Sequence, residues 1–162
     1  NPWPKFVVRW VVTLGVHKTP EAYESAIEAS GQKIGGWAHQ IPKKVACAQT
    51  PVEIHLASAT VAELGFKKGA TTEQVHAAIL AQGGQLCPAE VGPALRLLLT
   101  DQPKGEWLWL AMEAIPDSVD DLLVFDVGHV GDDLWLDTVH GHPSSHWGPG
   151  NRIVFVVPAQ VP

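Results

Sequence analysis

In two segments of this chain, apolar residues occupy every second position, and this spacing limits the possible folds more than any other pattern in the sequence. Residues 6–14 carry Phe, Val, Trp, Val and Leu at alternate positions, with Val, Arg, Val and Thr between them, and residues 52–56 alternate between apolar and polar residues. A period of two residues is typical of a strand, because successive side chains of a strand point to opposite faces of its sheet. Both segments are therefore predicted to be β-strands.

Capping residues predict the first helix. Thr19 supplies a hydroxyl oxygen for the free N–H groups of a helix start, and Pro20 suits the first helical position, where a missing N–H costs nothing. The predicted helix ends at Gly31. Residues 33–40 are predicted to form a further short turn in which Trp37 packs inward.

Two capping boxes predict further helices. In a capping box, a Thr hydroxyl and a Glu or Gln side chain three residues later satisfy free N–H groups reciprocally. Residues 60–63 have this spacing and predict a short helix that ends at Gly65. Residues 71–74 repeat it and predict a helix closed by Gly83 and Gly84.

The rest of the chain is predicted to be strands. Pro88 and Pro93 permit at most one turn of helix between them, since proline disrupts a helix interior. Short apolar segments then follow, separated by Gly, Asp and Pro turns, which is typical of an antiparallel meander. The predicted strands cover residues 95–99, 107–114, 122–127, 134–139 and 153–157.

This order of elements favours the α+β class. We expect two or three helices packed on one face of a mainly antiparallel, Trp-rich β-sheet. We predict a single domain over residues 1–162, with a helix-containing half of about residues 1–93 and a β-meander half of about residues 94–162. Neither a linker composition nor an internal repeat interrupts the chain.

Composition argues against several classes of protein. The chain has 162 residues, of which 46% are hydrophobic, and this is enough to bury a sizeable core. Eleven Lys and Arg against 17 Asp and Glu disfavour non-specific binding to nucleic acid, which requires clustered basic residues. The apolar stretch of residues 6–16 is too short to span a bilayer. Cys47 and Cys87 leave open a single disulfide or two reduced thiols, and no compartment is predicted.

Four segments of the chain carry a resemblance. They read LGFKKGAT, LCPAEVGPALR, DQPKGEW and AMEAI. With them the chain resembles a family of small uncharacterised bacterial proteins over about residues 13–157, which implies a self-contained folding unit with no established activity. Val119 and Val130 stand where that family is expected to have Asp or Gly in its turns. The chain has no Gly-x-x-x-x-Gly-Lys-Ser/Thr loop, so P-loop helicase chemistry is not expected.

A histidine-rich segment near the C-terminus predicts a metal site. His140, His142 and His146 lie in one loop that contains Gly and Pro, and Asp137 or His129 can complete a ligand set for zinc or a similar metal. An open position on such a metal would activate water for hydrolysis. The alternative is a polar surface loop without metal.

Two other groups of residues are expected to be structural. Glu90 beside Cys87 suggests a thiol with a carboxylate partner, but a carboxylate disfavours the thiolate, so we expect Cys87 to pack as a small hydrophobe. A set of aspartates flanks the predicted turns and is expected to be solvated rather than to bind calcium, because the order of an EF-hand loop is missing. These residues are Asp117, Asp120, Asp121, Asp126, Asp132 and Asp133.

Seven tryptophans offer aromatic surface for either a core or a binding site. Trp107 and Trp109 are expected to fill the core, whereas Trp135 and Trp147 are candidates for an exposed platform that binds a ligand or partner. Trp135 is expected to share a sheet face with Asp137.

Three functional hypotheses follow from the sequence. The first is a non-enzymatic module that binds another protein or itself, because no catalytic motif is present and the β-rich half carries little charge to protect its strand edges. The second is a metal-dependent hydrolase or metal-binding protein that uses the histidine loop. The third is a carbohydrate or small-ligand binder that uses exposed Trp.

Overall fold

A computed structural model of the chain describes residues 6–36 and 44–158. These residues contain three helices and ten strands. Of the turn predicted over residues 33–40, the first two residues form a short strand instead, and Trp37 lies outside the described residues. The helices are α1 (Pro20–Ala29), α2 (Thr72–Ala81) and α3 (Val91–Leu98). The strands are β1 (Trp10–Leu14), β2 (Lys33–Ile34), β3 (Val52–Thr60), β4 (Ala70–Thr71), β5 (Trp107–Leu110), β6 (Ile115–Pro116), β7 (Leu122–Val130), β8 (Asp133–His140), β9 (His146–Trp147) and β10 (Arg152–Val156).

Most strands join one mixed sheet in the order β1-β3-β10-β5-β7-β8-β2, with β6 paired to β7. The β10–β5 and β2–β8 pairs are parallel and the others are antiparallel, so the predicted α+β class with a mainly antiparallel sheet is confirmed. The sheet is not a simple meander, because the last strand returns to its centre between β3 and β5. β4 and β9 form a separate two-stranded sheet.

Helices cover both faces of the large sheet, so the expectation that all of them pack on one face is wrong. α1 and α3 pack on one face, where Gly92 of α3 lies directly against the ring of Phe125. α2 lies on the other face, where Gly84, just after its end, lies against Phe155 and Ile79. Phe155 belongs to the same face as Trp109, because Trp109 is the register partner of Ile153, two residues before Phe155.

The capping residues begin α1 and α2 as predicted. The Thr19 hydroxyl accepts the N–H of Ala22 at 3.1 Å, and Pro20 occupies the first turn of α1. At α2 the capping box is complete, because Thr71 Oγ1 accepts the N–H of Gln74 at 3.2 Å and Gln74 Oε1 accepts the N–H of Thr71 at 2.9 Å. The predicted α1 and α2 helices are therefore confirmed.

The first capping box forms its hydrogen bonds without a helix. Thr60 and Glu63 exchange bonds of 2.8 and 3.1 Å, as a capping box requires. Residues 61–65 nevertheless form a turn, and Gly65 has a φ of 116° that leads the chain away. The short helix predicted here is wrong, because a box satisfies N–H groups equally well at the start of a turn.

The predicted strand at residues 95–99 is also wrong, because α3 occupies this segment. Pro93 is the third residue of α3, a position whose N–H has no partner within the helix, so proline does not interrupt it. Helical spacing buries Val91, Leu95 and Arg96 on one side. A run of leucines fits the periodicity of a strand and that of a helix equally well. Here the chain forms a helix because its buried side packs on the face of the sheet.

Two buried charged side chains fix α3 in place. The Glu90 carboxylate accepts the N–H groups of Gly15 and Ala48, each at 2.7 Å, and the Tyr23 hydroxyl. Arg96 is fully buried, and its guanidinium donates to the carbonyl oxygens of Gly128 at 3.0 Å and Trp135 at 3.1 Å. Burial lowers the pKa of Arg96 to about 10, which leaves it charged at neutral pH.

No helix in the described part of the chain combines the length and the apolar character that crossing a bilayer requires.

Candidate functional site

The structure spreads the predicted metal ligands along β8, a loop and β9. His140 is exposed at the end of β8, and His142 is exposed in the loop, where its Nδ1 lies 2.9 Å from the Ser144 hydroxyl. His146 is exposed on β9, with its ring against Gly69. Asp137 belongs to the interior of β8, where its carboxylate approaches Gly35.

These side chains do not come together as a metal site. Within residues 6–36 and 44–158, no three His, Cys, Asp or Glu side chains are grouped in a way that would hold a metal ion. His129 is directed elsewhere, because its Nδ1 lies 2.5 Å from the carbonyl oxygen of Gln102. Asp137 lies within β8, whereas His142 lies in the loop after that strand and His146 lies on β9, so proximity in sequence does not become proximity in space.

The cysteines are free thiols with structural surroundings. Cys87 is buried, its Sγ lies 3.6 Å from the carbonyl oxygen of Val154, and burial raises its pKa far above the ordinary value. The carboxylate of Glu90 acts on Cys47 rather than on Cys87. Burial, and then this carboxylate, raise the pKa of Cys47. Raised pKa values disfavour the thiolate, so neither thiol has the surroundings of a nucleophile.

The turn aspartates organise the backbone. Asp117 is buried, and its Oδ1 accepts the N–H groups of Val119 and Asp121, each at 2.9 Å. Asp132 is exposed and pairs with Lys104 at 3.0 Å. Such bonds are the usual role of aspartate in a turn.

The two candidate tryptophans differ in exposure. Trp147 is fully buried, so it does not offer the exposed platform that the sequence hypothesis required. It packs edge-on against Trp109 at 4.9 Å between ring centroids, and His76 of α2 lies beyond it at 6.3 Å. Trp135 is half-buried on β8 and shares a sheet face with Asp137, as expected.

Three tryptophans and two aspartates share the sheet face that carries α2. Register partners in neighbouring strands point to the same side of a sheet. One cross-strand row therefore contains Trp107, Gly128 and Trp135, and the next contains Trp109, Asp126 and Asp137. We call the following five residues the Trp–Asp face: Trp107, Trp109, Asp126, Trp135 and Asp137.

Gly128 forms the floor of this face. A Cβ at this position would lie 2.1 Å from the Trp107 ring, so only glycine lets the indole lie flat over β7. Trp107, Trp109 and Trp135 are each half-buried and keep part of their rings accessible. The Lys33 ammonium lies 5.7 Å from the centroid of Trp135, within the range of a cation–π contact.

Asp126 is the most perturbed acid of the face. It is 5% exposed, and its Oδ1 is buried without a hydrogen-bond partner. Burial, and then the carboxylate of its register partner Asp137, raise the pKa of Asp126 to about 7. Trp147 Nε1 and His76 Nε2, at the covered end of the face, are also buried without partners.

Sequence reasoning missed Asp126 as a site residue because it was grouped with the turn aspartates. The available signal was its setting, since it is the one charged residue in the β7 sequence LLVFDVGHV. Lone acids are rarely buried unless they are paired, so a carboxylate in a central strand is itself a sign of a site or of a structural role.

A second candidate surface lies along the first strand. β1 is at the end of the strand order and pairs with β3 alone within the described residues. Nine large hydrophobic side chains are exposed in the described part of the chain, and six of them lie on or beside β1. These six, which with β1 we call the β1 edge, are Val7, Val8, Val11, Val16, Val52 and Leu98.

A groove of about 340 Å³ runs along the β1 edge where α3 packs beside it. Val11, Val12 and Val16 line one side, and Leu97 and Leu98 of α3 line the other. The groove is mainly apolar, so it fits aliphatic side chains better than a charged ligand.

Comparison with known proteins adds no assignment, since no family model, curated protein or solved structure matches the chain.

Proposed function

We propose that this chain is a non-enzymatic interaction module that associates with a second copy of itself through the β1 edge. The observation that carries the proposal is the set of exposed apolar side chains on and beside this edge strand, of which Val11, Val16 and Leu98 line one groove. Exposed apolar residues that occur singly are ordinary, whereas a contiguous apolar patch is typical of an association surface.

The backbone of β1 supports pairing with another strand. An edge strand presents unpaired N–H and C=O groups on its outer side, and these can be satisfied by adding a strand. Natural edges are usually protected by charge or proline, but Trp10–Leu14 reads WVVTL and contains neither. Its β-branched and aromatic residues favour cross-strand contacts.

A second copy fits this edge better than a charged partner. Two antiparallel β1 strands related by a two-fold axis oppose no like charges, because β1 carries no charge. The same axis brings the two grooves beside α3 to the interface, where aliphatic residues of each copy can be buried. Self-complementary pairing of this kind is the commonest form of oligomer.

The test is the concentration dependence of mass, measured by sedimentation velocity on the full chain. We expect a monomer–dimer equilibrium, and we expect Val11→Lys to weaken dimerisation at least about tenfold, because lysine introduces charge at the edge. Val130→Lys is the matched control, since Val130 is a similarly exposed valine at the end of β7.

Two results would contradict the proposal. One is a wild-type chain that remains monomeric throughout the concentration series. The other is an equal effect of Val11→Lys and Val130→Lys on a dimer that does form, because the interface would then lie elsewhere. Circular dichroism of both variants shows whether the fold is retained.

A further inference from the structure

We propose that the Trp–Asp face binds a small organic cation of the alkylammonium type. This inference is independent of the β1 edge. It rests on two unlike features that meet on one sheet face, a pair of adjacent carboxylates and three partly accessible indole rings.

The two adjacent carboxylates favour the binding of a positive charge. Asp126 and Asp137 are register partners on β7 and β8, and like charges placed directly opposite each other in a sheet are destabilising. Asp126 is 5% exposed, and its Oδ1 is without a partner. No Lys or Arg among the described residues forms a salt bridge with either carboxylate, so within that part of the chain no basic side chain offsets their repulsion.

The polar contacts of the Asp137 carboxylate leave it available to bind a ligand. Asp137 is half-buried, and its Oδ1 accepts the N–H of Thr138 at 2.9 Å. Its carboxylate also lies against Gly35, where a Cβ would be 2.3 Å from Oδ1. Part of the Asp137 side chain therefore stays accessible to a ligand, and a cation bound there would favour the ionised form of Asp126 on the neighbouring strand.

The indole rings are the second feature that would recognise an alkylammonium cation. The π-face of Trp attracts cations, most strongly when they are desolvated, and groups of aromatic rings are the usual site for alkylated ammonium groups. Lys33 already places a cation beside this face, because its Nζ lies 5.7 Å from the ring centroid of Trp135 while it pairs with Asp133 at 3.3 Å. Neutral polyols would use the rings without using the charge of the acids, and anions would be repelled by that charge.

The probe is choline, and its neutral isostere 3,3-dimethylbutan-1-ol is the control ligand. Binding to the full chain is followed by tryptophan fluorescence and by isothermal titration calorimetry at low ionic strength. We expect choline to bind saturably and at least about tenfold more tightly than the isostere, since only choline carries the charge. Equal affinities, or no choline binding, would overturn the proposal.

Two further titrations separate other ligand classes. A saturable response to calcium chloride without a response to choline would indicate a metal site. A response to maltose without a response to choline would indicate a carbohydrate site. Either result would overturn the assignment of an organic cation.

Charge-neutral variants locate the site. We expect Asp137→Asn to weaken choline binding about tenfold, whereas Asp132→Asn removes the same charge from an exposed turn and leaves binding unchanged. Trp135→Leu is expected to weaken binding about fivefold through loss of the ring face. Equal choline affinities for Asp137→Asn and Asp132→Asn would reject this location. Choline binding does not depend on dimerisation, so a monomeric Val11→Lys chain is expected to keep it.

Discussion

Buried acids in this protein are satisfied to very different degrees. Glu90 receives three hydrogen bonds from Gly15, Ala48 and Tyr23 and ties the start of α3 to the chain around it. Asp126 is buried to a similar extent, but its Oδ1 has no partner and a second carboxylate lies opposite. Three donors satisfy the oxygens of Glu90, whereas burial and the neighbouring carboxylate make Asp126 favour its protonated form.

This difference predicts how stability depends on pH. The pKa of Asp126 is about 7 in the folded chain against an ordinary value of 3.8, so the folded state holds a proton that the unfolded state releases. The contribution is fully present below about pH 4 and is lost as the pH rises to about 7. The unfolding free energy should fall by at most about 1.4 kcal/mol per pH unit across that window.

Asp126→Asn removes this titration while it preserves the shape of the side chain. Urea denaturation at pH 5 and pH 8 should show a smaller loss of stability for the variant than for the wild type, with Asp132→Asn behaving like the wild type. An unchanged pH slope in Asp126→Asn would show that another group titrates.

Among the elements, the two capping boxes show that the same local motif does not dictate the same structure. Residues 71–74 are followed by good helix formers and begin α2, whereas residues 60–63 are followed by Gly65 and form a turn. Capping bonds satisfy the first N–H groups, but the residues that follow decide whether a helix continues.

The α2 box is therefore expected to contribute measurable stability. Thr71→Ala removes the hydroxyl that accepts the N–H of Gln74 and should lower the unfolding free energy by about 1 kcal/mol in urea denaturation. Thr100→Ala, at an exposed position after α3, serves as the control. If both variants lose the same stability, the capping bond is not the cause.

Across the fold, the strand order interleaves the two halves of the chain. β10 lies between β3 and β5, and β2 pairs with β8, so strands from before residue 93 pair with strands from after it. Neither half has a complete sheet of its own.

A fragment of residues 94–162 is consequently expected to lack a cooperative unfolding transition. Thermal melts followed by circular dichroism, with the full chain as reference, test this expectation. A sharp transition in the isolated fragment would show that it folds independently and that the interleaving is not required.

Local signals in the sequence were sufficient for most elements and insufficient for their arrangement. Thr19 and Thr71 identify helix starts because capping is a short-range interaction, and alternation identifies the strands near residues 52–60, 122–130 and 133–140 for the same reason. The leucines of α3 fit the periodicity of a strand as well as that of a helix, so the helix followed only from their packing on the sheet.

The candidate sites depended on tertiary structure to a greater extent. Trp135 and Asp137 were placed on one face by their spacing within a strand, but Asp126 joined them through the pairing of β7 with β8. The histidines of the C-terminal loop remained apart because short separation along the chain does not make side chains converge. The sequence alone was enough to predict most elements, since capping and periodicity act locally. Which carboxylates meet and which strand lies at an edge became clear only in the folded chain, because both depend on contacts between distant residues.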